Sequence, residues 1–226
     1  MTEFYSKAKL PTLYGEFDIY IFKDSGKEHT VLLKDNYDHP VLVRVHSQCL
    51  TGDIFSSLKC DCGEQLVLSL AAISQVGGLL IYLAQEGRGI GLGNKIRAYS
   101  LQENGLDTIN ANIALGFRAD ERDYSTAADI LKYFNINHIA LLTNNPKKIT
   151  ALQNKGFKVE RIPIITARNP YNQIYLETKE KKMNHLLCEK LTTKEEIIKK
   201  YQELVRKNKI KKKTEVAKPL NYELVK

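Results

Sequence analysis

A chain of 226 residues that is 43% hydrophobic and 27% charged has the composition of a globular protein with a sizeable core, which excludes a disordered polyelectrolyte. The longest apolar run, Leu79 to Ala84, is too short to span a bilayer, and the start MTEFYSKAKLPTLYGEF lacks an apolar stretch of signal-peptide length; both point to a soluble cytoplasmic protein with no membrane partner. The net charge of +8 belongs to the tail, because residues 190–226 carry twelve Lys or Arg against five Glu, so the nearly neutral body gives no reason to expect nucleic acid.

Residues 12–34 alternate apolar and polar positions around Ser25-Gly26, which predicts an antiparallel hairpin, and Val41 to His46 reads as a further strand. Helical periodicity over Glu64 to Ser74 is closed by Gly77 and Gly78, and Leu79 to Ala84 follows as a buried strand. A glycine-rich stretch then leads into a helix over about residues 94–104 and a second helix over Ser125 to Phe134. His138 to Leu142 is strand, Pro146 to Asn154 helix, Lys158 to Ile162 strand and Tyr175 to Leu187 helix. This alternation predicts an α/β fold: a mixed β-sheet flanked by helices, with an antiparallel N-terminal portion, in one domain over residues 1–189. In the basic extension, residues 190–226, Ile197, Ile198, Tyr201, Leu204 and Val205 fall on one helical face behind Thr193-x-x-Glu196, a capping box. The like-charged stretch from Lys207 onward is expected to stay mobile.

Three of the four cysteines, Cys49, Cys60 and Cys62, lie within seventeen residues, and in a reducing cytosol such clusters are metal or catalytic sites more often than disulfides. The spacing is not the Cys-x-x-Cys of redox sites or zinc ribbons. A closed structural site needs a fourth ligand. His46, three residues before Cys49 on a strand, should point to the opposite face, and Cys188 reads as a buried apolar filler but stays open as a fourth ligand distant in sequence. Three ligands with an open position fit catalytic zinc, in which the metal acidifies a water and acts as Lewis acid; structural zinc and scattered core thiols stay open. Three thiolates against a divalent ion leave a net negative charge, so a neighbouring base or cation would be needed to make hydroxide available near neutral pH.

Gln85 to Lys95, QEGRGIGLGNK, opens a helix after a strand and suits phosphate or tight packing equally; it is neither a P-loop nor the dinucleotide fingerprint, although Asp107 stands where a ribose-binding acid would. Glu86 and Arg88 beside it suit a base edge and an anion. In TNNPKK, Asn145 is the expected N-cap, Pro146 the first helical residue, and the two lysines that follow oppose the helix dipole unless an anion neutralises both. ADERDY, Ala119 to Tyr124, reads by itself as a solvated turn, with Asp120 and Arg122 offering a base beside an anion-stabilising group.

RVHSQCLTGD, KCDCGEQ, QEGRGIGL, NKIRAYSLQ, ADERDY and TNNPKK, in this order, resemble GTP cyclohydrolase II, and the similarity spans about Ala8 to Leu187, from AKLPTLYGEF to YLETKEKKMNHLL. The resemblance implies a zinc enzyme of riboflavin biosynthesis, a homodimer, that hydrolyses GTP at C8 and releases formate and pyrophosphate, with Mg²⁺ on the phosphates. Cys49, Cys60 and Cys62 match the family's zinc ligands. Arg44, Val45, His46, Ser47, Gln48, Gln65, Glu86, Gly87, Arg88, Thr108, Thr143 and Lys148 match its GTP-binding positions. Asp120 matches the proposed proton acceptor, Arg122 the proposed nucleophile, and Tyr99 a position linked to full release of formate. A guanidinium stays protonated in proteins, so stabilising the departing pyrophosphate suits Arg122 better than attack. Gln48 replaces the glutamate usual beside the first zinc ligand. The start at residue 1 leaves no room for the dihydroxybutanone-phosphate synthase domain of many relatives, so a monofunctional chain is expected. Competing expectations are a homologue that stops at the formamidopyrimidine, a nicotinamide-dependent oxidoreductase using the Gly87 loop, and a zinc-stabilised nucleic-acid-binding module.

Overall fold

A computed structural model of the chain describes residues 2–187 and 190–216. Seven strands form one mixed sheet in the order β1-β2-β3-β5-β4-β6-β7. The strands β1 (Glu3–Thr12), β2 (Gly15–Asp24) and β3 (Lys27–Lys34) form an antiparallel meander, and β3 pairs antiparallel with β5 (Gly78–Leu83). Beyond it, β4 (Val41–Ser47), β6 (His138–Leu142) and β7 (Lys158–Ile162) join β5 in parallel register. The flanking helices are α1 (Leu50–Asp53), α2 (Cys62–Val76), α3 (Leu92–Glu103), α4 (Thr108–Ala114), α5 (Ser125–Tyr133), α6 (Pro146–Gln153), α7 (Gln173–Met183) and α8 (Lys194–Val216).

Near-continuous apolar runs suit strands covered on both faces, and alternate residues supply two cores. Val41, Val43, Val45, Leu79, Ile81, Ile139 and Leu141 face one side, where Ala127, Ile130 and Leu131 of α5 and Leu152 of α6 cover them. Leu42, Leu80, Ala140, Leu142 and Ile162 face the other, under Ala72 and Ile73 of α2. Ile197, Ile198, Tyr201 and Val205 of α8 join this second core, so the apolar interior does not end at residue 189. The capping box forms: Thr193 N donates to Glu196 Oε2 at 2.9 Å, and Glu196 N to Thr193 Oγ1 at 3.2 Å.

Three expectations need correction. The final body helix stops at Met183, not Leu187, because Asn184 takes a left-handed conformation (φ 54°) that ends it. The tail helix is longer than its apolar stripe and runs past Lys207 to Val216; residues 217–226, the rest of the stretch expected to be mobile, lie outside the described part, as does Cys188. Neither β1 nor α4 was anticipated: nearly all of β1's side chains are exposed, and α4 is a short helix capped by Asp107, whose carboxylate accepts from Ile109 N and Asn110 N.

In the parallel half, β4 has β5 on one side and β6 on the other, and at such a reversal the crevice outside the carboxyl ends of the strands is the natural ligand site. Ser47 ends β4, and Glu86 and Thr143 follow the ends of β5 and β6.

Candidate active site

The cysteine trio is built by α1 and the start of α2. Cys49 caps α1, its N–H donating to Asp53 Oδ2 at 2.9 Å, while Cys60 and Cys62 flank Asp61 where α2 begins. The sulfurs all lie within 4.8 Å of one another, with Cys49 and Cys60 at 3.7 Å. Two glycines permit this approach. A Cβ at Gly52 would stand 2.8 Å from Cys60 Sγ and 3.2 Å from Cys49 Sγ, and one at Gly63 would stand 2.4 Å from Gly52 O. Side-chain hydrogen bonds from Cys60 and Cys62, then Lys95, favour the thiolate at Cys49 despite burial, and the other two thiols are pushed up because they donate to it.

His46 does not complete a fourth position. Its Nε2 lies 3.0 Å from Asp53 Oδ1 and its ring stacks on Tyr82, whose hydroxyl donates to Asp53 at 2.8 Å. Asp61, between two of the cysteines, accepts from Gln65 Nε2 at 2.8 Å and from Lys179 at 2.7 Å. Gln65 Oε1 accepts from Arg44 Nη2 at 2.7 Å. The donor set, three converging sulfurs held by buried carboxylates that bond neighbouring groups, fits a thiophilic metal such as zinc.

The trio opens into a cleft that also contains Ser47, Gln48, Glu86, Gly87 and Arg88, with Tyr99, Thr108 and Arg122 on its walls. Gly87 and Arg88 are both left-handed (φ 62° and 64°), a conformation that a non-glycine residue holds at a cost and that turns Arg88 into the cleft. Glu86 is committed inward: Oε1 accepts from Lys95 Nζ at 2.9 Å and Gly87 N at 2.8 Å, and Oε2 from Leu50 N at 2.6 Å. A carboxylate offers about four acceptor positions, so roughly one remains for a ligand.

A second cleft shares Ser47, Cys62, Arg88, Arg122 and Tyr175 with the first. Arg44, Gln65, Thr143 and Lys148 line it, together with Lys179 and His185, which sequence reasoning missed. Of the two lysines opening α6, Lys147 points to solvent, whereas Lys148 is buried and donates to Val45 O at 2.6 Å. Burial, then the charges of Arg44, Arg122 and Lys179, hold the Lys148 ammonium well below its ordinary value. His185 is pushed down to about 2 by burial and by Lys179, Arg122, Lys148 and Arg88. Among the described residues, Arg44 Nε, Arg88 Nη2 and His185 Nε2 are buried without a hydrogen-bond partner, as expected of an anion cradle.

Asp120 stands behind Arg122, accepting from its Nε at 2.8 Å and its Nη2 at 2.7 Å. Burial opposes the charge on Arg122, but Tyr124 and this carboxylate outweigh it and raise its pKa. Val45 faces the core rather than either cleft, and His46 lies under α1. Asp107, the candidate ribose acid, is occupied as the cap of α4 and by Lys182 at 2.7 Å.

A sequence model of the GTP cyclohydrolase II family matches residues 3–163. The chain belongs to the GTP cyclohydrolase II family. It is similar to a GTP cyclohydrolase-2 of Picrophilus torridus, 53% identical over 191 residues that cover 82% of this chain and all of that one. It is likewise similar to a GTP cyclohydrolase-2 of Helicobacter pylori (strain Shi470), 55% identical over 186 residues, 80% of this chain and 96% of that one. A solved structure of RibBX, a two-domain 3,4-dihydroxy-2-butanone 4-phosphate synthase from A. baumannii, aligns with 71% of this chain and 39% of its own length at 24% identity and a TM-score of 0.38, too slight a likeness to argue from. As a member of the GTP cyclohydrolase II family the chain is a hydrolase of riboflavin biosynthesis, and its cysteine cluster is compatible with a zinc site. No described helix is long and apolar enough to cross a membrane. The matched span contains every site residue named from the sequence, whereas Lys179 and His185 lie beyond it.

Proposed function

We propose that the chain is a zinc-dependent GTP cyclohydrolase II that converts GTP to 2,5-diamino-6-hydroxy-4-(5-phosphoribosylamino)pyrimidine, formate and pyrophosphate, as a cytoplasmic homodimer with Mg²⁺ carried on the triphosphate. The observation that carries this reading is the continuity of the two clefts: the one holding the sulfurs runs through Arg88 and Arg122 into one lined by Arg44, Lys148 and Lys179. A substrate with a reactive ring at one end and several negative charges at the other fits that arrangement.

Cys49, Cys60 and Cys62 hold the zinc, which when bound supplies Lewis acidity for the addition of water to guanine C8. Arg44, Arg88 and Lys148 bind the phosphates, and Thr143 and Gln65 position them. Ser47, Gln48 and Thr108 border the base and sugar. Glu86 offers its remaining acceptor position to a guanine N–H; gripping both N1–H and the exocyclic amine would require Lys95 or a backbone amide to let go. Asp120 receives protons as the ring opens and the formyl group is hydrolysed. Arg122, kept protonated by its neighbours, stabilises the charge on the departing pyrophosphate instead of attacking. Tyr99 stands on the wall of the metal cleft and favours hydrolysis through to formate over arrest at the formamidopyrimidine.

The test is to incubate the purified protein with GTP, Zn²⁺ and Mg²⁺ and to measure formate, pyrophosphate and the absorbance of the pyrimidine. All three should appear in equal amounts, and Cys60→Ser should abolish them. Formamidopyrimidine alone would reassign the product; turnover undiminished by Cys60→Ser would remove the metal from the reaction.

A further inference from the structure

We infer that Lys95 is the counter-cation of the cysteine cluster: a positioning residue whose ammonium offsets part of the thiolate charge, strengthens the trio's hold on a metal and ties it to Glu86. The inference rests on the zinc reading above and names a residue to which that reading gives no role. Lys95 lies in the first turn of α3, where a cation opposes the helix dipole and no capping side chain assists. Its side chain is only 11% exposed, which for a lysine demands an anionic partner. Three partners are present. Nζ donates to Cys49 Sγ at 3.2 Å, to Thr51 Oγ1 at 2.9 Å and to Glu86 Oε1 at 2.9 Å, using all three ammonium hydrogens.

Each of those contacts joins a different part of the site. Cys49 is a proposed metal ligand, Thr51 belongs to the α1 turn that carries it, and Glu86 opens the left-handed loop that presents Arg88. Three thiolates around a divalent ion leave one negative charge and the buried Glu86 carboxylate adds a second, and the single ammonium placed between them offsets one of the two. Loss of that charge leaves the trio repelling itself in a poorly hydrated pocket, which weakens the hold on the metal. Arginine keeps the charge but is planar and longer, so it recovers the effect in part.

The experiment uses wild type, Lys95→Met and Lys95→Arg, each loaded with Zn²⁺ and titrated with a competing chelator, then reloaded with Co²⁺ to record the sulfur-to-metal charge-transfer band. Lys95→Met is expected to bind zinc roughly 10- to 100-fold more weakly, the usual effect of losing an outer-shell partner of a metal ligand. Its band should move to lower energy because the sulfur has lost a hydrogen-bond donor. Lys95→Arg should recover part of both, which a merely space-filling side chain would not do. Should Lys95→Met not fold, Lys95→Gln serves: it retains a donor without the charge, and its zinc affinity should still fall. Unchanged affinity and an unmoved band in the neutral variants would overturn the inference. Failure of wild type itself to bind either metal would instead remove the zinc reading beneath it.

Discussion

A methyl group added at Gly52 would lie 2.8 Å from Cys60 Sγ, 3.1 Å from Cys62 Cβ and 3.2 Å from Cys49 Sγ, in the middle of the cluster. The backbone there is helical, so the substitution brings no dihedral strain, and helix propensity even favours alanine by about 1 kcal/mol. The conflict is purely spatial: a sulfur must move. Overpacking of this kind costs about 1–3 kcal/mol, which at about 1.4 kcal/mol per decade predicts roughly 5- to 100-fold weaker zinc binding in Gly52→Ala with all three cysteines in place. Chelator competition measures it; affinity equal to wild type would show that the metal does not occupy the space between the sulfurs. The three cysteines were readable as a set from their spacing, but Gly52 was not, because its importance arises only when α1 folds back over Cys60 and Cys62. Lys95 was hidden for a related reason. Its partners are 46, 44 and 9 residues away in sequence, so only the folded chain brings them to one ammonium.

Among the elements, those with a strong period and two buried faces were legible, and those shaped by a neighbour were not. The strands β4, β5 and β6 announce themselves as apolar runs, and Asn145 caps α6 as its sequence predicts, accepting from Lys147 N at 3.0 Å. β1 shows too few buried positions to reveal a period, and it exists because β2 offers it an edge along its whole length. The helix α8 was expected from its capping box and apolar stripe, yet nothing in its sequence told that the stripe would complete a core with Phe17, Ile73 and Ile162. It follows that α8 is structural. Ile197 is fully buried, and Ile197→Ala should cost about 2–5 kcal/mol, which for a chain of this size is a fall in melting temperature of roughly 5–15 °C. The measurement is thermal or urea unfolding beside Lys199→Ala on the exposed face of the same helix, which should move stability by less than about 0.5 kcal/mol. Equal stability of the two variants would place α8 outside the cooperative unit.

Across the whole molecule, the second cleft is a concentration of like charge that the fold tolerates rather than seeks. Arg44, Arg88, Arg122, Lys148 and Lys179 converge on it, while Asp61 and Asp120 answer only Lys179 and Arg122 directly. Buried like charges oppose folding until a polyanion enters, so stability and affinity should trade against each other here. Lys148 offers the cleanest case: among the described residues its Nζ donates to the Val45 carbonyl and lies 5.4 Å from the centre of the Tyr124 ring, with no carboxylate bonded to it, and burial, then the nearby cations, depresses its pKa. Lys148→Met keeps the length of the side chain and removes the charge. Two changes of opposite sign are therefore expected: the anion-free variant should melt at or above wild type, and the rise in melting temperature on adding inorganic tripolyphosphate should shrink. In wild type, anion at about 100 times its dissociation constant adds about 2.7 kcal/mol, or roughly 5–10 °C for a chain this long, and the variant should need a markedly higher anion concentration for the same rise. A variant that melts lower and still responds to tripolyphosphate like wild type would mean that Lys148 supports the fold through Val45 and leaves the anion to the arginines.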